Sequence, residues 1–96
     1  MAAIIDGFHK LGPKDPKVVE VGNFAVHEYN KQSKSKLKFE QVFKAAAYDF
    51  AEIKTEYALI IGAKEHHAFN KFHAVVLENN NSGRLLIAFK KINEGL

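Results

Sequence analysis

From Pro16 to Tyr29 the apolar positions Val18, Val19, Gly22, Ala25, Val26 and Tyr29 recur at helical spacing, while Lys17, Glu20, Asn23, His27 and Glu28 fall mainly on the other side. The pattern predicts one amphipathic helix lying on an apolar surface. Asp15 is placed to cap it by accepting from its first free amides, and Pro16 just inside the start loses no hydrogen bond. Fraying is expected between Lys31 and Lys36, where KQSKSK offers no apolar anchor and two serines compete for backbone partners. Gly22 costs the helix about 1 kcal/mol relative to alanine. Close approach of a packed strand is the expected compensation.

The rest of the chain alternates with the shorter period of strands. Residues 1–11 read as a short extended segment with a bend at Gly7, and Gly12-Pro13-Lys14 turn the chain into the helix cap. After the helix, Leu37, Phe39, Gln41, Phe43 and Ala45 alternate with Lys38, Glu40, Val42 and Lys44, which puts the first set on the more apolar face of a strand. Ala46 to Lys54 carries weak strand signals and is expected to hold the chain reversal. Thr55 to Ala63 is the next strand, with Tyr57, Leu59 and Ile61 on one side and Gly62 marking a bulge. Lys64 to His67 make a polar turn. In Ala68 to Glu78 either Phe72, Ala74 and Val76 or Phe69, His73, Val75 and Leu77 face the core. Asn79 to Gly83 is the strongest turn signal, and Arg84 to Ile92 the last strand. The expected fold is α+β: one helix (residues 15–35, including its end) across a curled antiparallel sheet of four to five strands from residues 36–96, with residues 1–14 as an N-terminal strand, all in a single domain spanning 1–96.

Composition narrows the chemistry. With 96 residues, 47% of them apolar and 26% charged, the chain reads as one ordinary globular domain. It has no cysteine, which excludes disulfides, thiolate nucleophiles and cysteine-ligated zinc. The apolar runs ALIIGA, AVVL and LLIAF are too short to cross a bilayer as helices, and the first residues lack the basic start of a secretory signal. A cytoplasmic protein or a mature secreted form fits equally. The net charge of +3 permits weak attraction to acidic partners, but only Lys31 to Lys38 is dense in cations, so nucleic-acid binding through it is a minor alternative. His66, His67 and His73 form the tightest histidine group. Neighbours on a strand point to opposite faces, and exposed turn histidines are expected in place of a metal site. No nucleotide-binding or nucleophile-elbow motif occurs and no cofactor is expected, so an enzyme is not. Asn80-Asn81-Ser82 matches a glycosylation acceptor, an accidental match in a run of asparagines.

The segment DPKVVEVGNFAVHEYN followed by KQSKSKLKFEQVFKA resembles the signature region of the plant cystatins, inhibitors of papain-like cysteine proteases. Val21, Gly22, Phe24, Ala25, Val26 and Asn30 fit its pattern, and Gly7-Phe8-His9-Lys10-Leu11 is similar to its N-terminal glycine-containing run, with Gly7 at the glycine. The resemblance implies a wedge in which the N-terminal segment and two hairpin loops enter the protease cleft. It places the contact edge at Gly7, at Tyr48, Asp49, Phe50, Ala51 and Glu52 in the first hairpin, and at Asn79, Asn80 and Asn81 in the second. Both loops depart from the family pattern. Tyr48 to Glu52 stand where Gln-x-Val-x-Gly belongs, and Asn79 to Gly83 lack the family's Pro-Trp.

Two functions follow as expectations. The first is inhibition of a papain-like cysteine protease. The second, prompted by the altered loops, is a non-inhibitory assembly or binding module of the same fold, similar to the cystatin-like domains of phloem filament proteins. A homo-oligomer formed by strand exchange through the first hairpin would suit that second role.

Overall fold

The computed structural model of the chain describes residues 8–50, 54–79 and 83–93. Its elements are β1 (Phe8–Leu11), α1 (Pro16–Ser33), β2 (Lys38–Phe50), β3 (Lys54–Glu65), β4 (Ala68–Asn79) and β5 (Gly83–Lys91). The strands form one antiparallel sheet in the order β1-β2-β3-β4-β5. The chain leaves β1, crosses the sheet as α1, and returns as β2 beside β1.

Local chemistry fixes both ends of the helix. The Lys17 amide donates to Asp15 Oδ1 at 2.8 Å and Pro16 takes the first turn, as the sequence implies. At the other end Lys34 adopts the left-handed conformation with φ 58°, and the amides of Lys34 and Ser35 both turn back to the Asn30 carbonyl. The helix therefore ends on a formed cap inside the stretch where fraying is expected. Its inner face is Val18, Val21, Gly22, Ala25 and Val26, all buried, with Val19 only half-buried. A Cβ on Gly22 would lie 2.8 Å from Cε1 of Phe39 and 3.1 Å from Cγ2 of Val42. The mid-helix glycine thus lets β2 approach, as anticipated.

β2 differs from its reading in two ways. Register against β3 slips between Phe39 and Gln41 and again between Val42 and Lys44, so the simple alternation is reset twice. Val42, Ala45 and Ala47 are buried beneath α1, whereas Phe43 turns to the outer face and meets Phe69 edge-on at 6.2 Å. The expectation of Phe43 in the core and Val42 on the polar side is corrected by these bulges. The first bulge also lies on β2 opposite Gly62 and not on the glycine's own strand. Secondly, β2 runs on through Ala46, Ala47 and Tyr48 to Phe50, which pairs with Lys54 at the start of β3. Alanines are poor strand formers alone, but here they pair with β1 on one side and β3 on the other.

β3 faces as read, and β4 takes the first of the two faces that its sequence leaves open. Tyr57, Leu59 and Ile61 of β3 point inward, and on β4 the set Phe72, Ala74 and Val76 is the buried one. Phe89 of β5 closes this layer, stacked on Tyr29 of the helix at 4.3 Å and on Phe72 at 5.0 Å. His66 and His67 form the exposed turn between β3 and β4, with φ 60° at His66.

Candidate functional site

Antiparallel pairing gathers three segments at one end of the sheet. Phe8 of β1 lies opposite Tyr48 of β2, while Phe50, Lys54, Asn79 and Gly83 form one row across β2, β3, β4 and β5. The chain preceding Phe8, the turn between Phe50 and Lys54, and the turn between Asn79 and Gly83 consequently spring from a common edge. The candidate residues Gly7, Ala51, Glu52, Asn80 and Asn81 lie outside the described residues. Tyr48, Asp49 and Phe50 are the end of a strand where a loop was expected, and Asn79 is the last residue of β4. Tyr48 and Phe50 share the outer face and meet edge-on at 4.9 Å, with Phe50 40% exposed.

Each tip is tied at its base. For the first, Thr55 Oγ1 donates to Asp49 Oδ1 at 2.9 Å, and His9 Nε2 lies 3.2 Å from Asp49 Oδ2, which links β1, β2 and β3 through one carboxylate. Glu78 is the hub of the second. Its Oε2 accepts from Lys17 Nζ at 2.9 Å and Arg84 Nε at 2.8 Å, while its Oε1 accepts from the Tyr57 hydroxyl at 3.3 Å. Arg84 also donates through Nη2 to Glu20 on the helix and lies over the Phe24 ring, 5.9 Å from its centroid. The fork of one guanidinium thereby spans helix and sheet beside the second turn, where Gly83 supplies the positive φ of 90°.

The helix residues Val21, Gly22, Phe24, Ala25, Val26 and Asn30 have structural roles on the inner side. Asn30 is the most specific of them. Its Oδ1 accepts from the Leu37 amide at 3.0 Å and its Nδ2 donates to the Leu37 carbonyl at 2.9 Å, satisfying both backbone groups where the chain enters β2.

Two comparisons bear on this arrangement. The model of the family described as "SQAPI: Aspartic acid proteinase inhibitor" matches residues 12–92. "Cysteine proteinase inhibitor 5" of Arabidopsis thaliana is 38% identical over 86 aligned residues, covering 75% of this chain and 69% of the relative. The chain belongs to the phytocystatin-like proteinase inhibitors.

In this phytocystatin-like chain the electrostatics of the second tip follow from its hub. Burial raises the Glu78 pKa, but hydrogen bonds from Lys17 and Arg84, with their charges, outweigh it and hold the carboxyl below its ordinary range. The Arg84 hydrogen bond and charge lower Glu20 likewise. Burial, then the negative charge and hydrogen bond of Glu78, push the Tyr57 hydroxyl up to about 12. Sequence reading missed this cluster because its members stand up to 64 residues apart and each alone looks like a solvated surface charge. The one available signal is that Glu78 and Arg84 flank the strongest turn in the chain at opposing strand positions. Among the described residues no group of three or more His, Cys, Asp or Glu side chains could hold a metal ion, and no helix is long and apolar enough to cross a membrane.

Proposed function

We propose that this protein inhibits an aspartic proteinase by presenting the edge formed by the chain before Phe8, the Phe50–Lys54 turn and the Asn79–Gly83 turn to the enzyme's cleft. The observation that carries the reading is the alignment of these three segments at one end of the sheet. Strand ends held in a braced sheet lose little conformational freedom on binding, and backbone groups at such an end can pair with a cleft built for extended peptide. The target class rests on the family match over residues 12–92 and on the tips themselves, which lack both loop motifs of the papain-directed pattern.

A second reading, inhibition of a papain-like cysteine protease, is favoured by the 38% identity to an Arabidopsis protein of that name and by the helix signature from Val21 to Asn30. Titrating pepsin in acid and papain near neutrality with the purified protein separates the two. Stoichiometric inhibition of pepsin with papain unaffected supports the proposal, and the reverse replaces it by the second reading. Inhibition of neither at micromolar protein rejects both and leaves the assembly module.

A further inference from the structure

The face of the sheet turned away from the helix has a graded composition. Behind the tip row, the next row across the strands is Tyr48, Glu56, Leu77 and Leu85, followed by Ala46, Ala58, Val75 and Ala88. The row after that is Lys44, Ile60, His73 and Lys90. The first two rows are mainly apolar and incompletely covered: Leu85 is 58% exposed, and Ile87, at the register slip in β5, is 53% exposed. Small side chains at the Ala46–Ala58 pair leave a depression of about 420 Å³ in this face, bordered by Phe43, Ile60, His73, Lys10 and Lys44.

Cations dominate beyond the apolar rows. Lys10 of β1 ends the Ala46–Ala88 row, and Lys44, Lys64 and Lys90 lie beyond it; all four are exposed, and none of them has a carboxylate partner among the described residues. Lys71 lies over the Phe43 ring, 4.6 Å from its centroid. Glu56 is the one acidic side chain in the rows above. Rows on one face of a sheet lie about 7 Å apart along the strands, which sets the Lys44–Lys90 row about 20 Å behind the tips.

We propose that this outer face is a docking surface for an acidic protein partner, and that the partner is the proteinase whose cleft receives the tips. This rests on the inhibitor reading above. The order of the rows favours it. A cleft that takes the tips brings its wall against the apolar rows, and its rim then reaches the unpaired lysines, where carboxylates complement them. An anionic bilayer would be drawn to the same lysines, and vesicle binding separates it from a protein partner. Unpaired surface cations facing an acidic rim act chiefly on the association rate, and salt screens them.

The test compares the wild-type protein with a Lys10→Gln, Lys44→Gln, Lys90→Gln variant at pH 5, where carboxylates are ionised. In stopped-flow association with whichever of pepsin or papain the wild-type protein inhibits, the variant should associate about tenfold more slowly at low salt, with a shallower salt dependence and a similar dissociation rate. Equal association rates and equal salt slopes overturn the proposal. A second arm needs no proteinase. A soluble glutamate-rich peptide should shift amide resonances in the Ala46–Ala88 and Lys44–Lys90 rows of the wild-type protein alone, and 0.5 M salt should abolish the shifts, while phosphatidylserine vesicles should retain no protein. Peptide-induced shifts confined elsewhere, or capture by the vesicles, overturn it. If neither proteinase is inhibited the inhibitor reading fails, and the assignment of the partner as the proteinase is overturned with it; the peptide arm still decides whether the face binds acidic protein.

Discussion

On the helix-covered face of the sheet, Leu59, Ile61 and Ala74 are at most 1% exposed, and the charges at its margin are tied in pairs: Lys17 and Arg84 to Glu78, Arg84 to Glu20, His9 to Asp49. On the outer face of the same strands, Leu85 and Ile87 are more than half exposed, and Lys44 and Lys90 stand without acidic partners among the described residues. Burial of apolar area and pairing of charge hold a fold together, while unpaired charge and uncovered apolar area are left for other molecules. The contrast teaches where to expect each kind of effect. Substitutions on the inner face should change stability, and substitutions on the outer face should change association.

The largest effect should come from opening the inner face. Leu59→Ala should cost about 3 kcal/mol in urea denaturation, since the cavity it leaves is closed in by α1, whereas Ile87→Ala should change stability by less than about 0.5 kcal/mol. Similar costs at the two positions would break the comparison. Asn30→Ala comes next, at about 2 kcal/mol, because it orphans the part-buried amide and carbonyl of Leu37 together.

The charge hub should give a smaller, pH-dependent effect. Arg84→Gln should cost about 1 kcal/mol at neutral pH, the side chains being mostly but not fully shielded from solvent. Folded-state pKa values of Glu78 and Glu20 are lowered from 4.5, so their contribution is present above that value and is lost as pH falls through the lower folded value. Stability followed by circular dichroism from pH 6 downward should therefore decline below about pH 4.5, and less steeply in Arg84→Gln. A parallel decline would remove the hub from the account. The smallest effect on stability belongs to the Lys10, Lys44 and Lys90 glutamine variant, which should melt within about 1 °C of wild type, with changes only in association.

What the sequence revealed and what it hid divide along the same line. Asp15-Pro16, the helical spacing of Val18 to Tyr29, and the run from Asn79 to Gly83 are local signals; the helix stands where they put it, and β4 ends and β5 begins on either side of that run. Gly22 was readable because a costly residue in a helix asks for a packing reason. The bulges of β2 were not readable, since the slip that buries Val42 and expels Phe43 is set by pairing with β3 and by the crossing helix. Tyr48 to Phe50 looked like a loop because alanines precede them, and only pairing on both sides keeps that segment extended. At the candidate edge the resemblance named segments that strand pairing gathers at one end of the sheet, but the bracing of that end by Asp49 and Glu78 depends on partners up to 64 residues distant.

The central claim is that one end of the sheet meets a proteinase. Hydrogen exchange on the complex with pepsin reads this directly, amide by amide. The account predicts slowed exchange at Phe8, Tyr48 to Phe50, Lys54, Asn79 and Gly83, with the His66–His67 turn at the far end unchanged. Slowing at that far turn with the tip row left as exposed as in the free protein would contradict it.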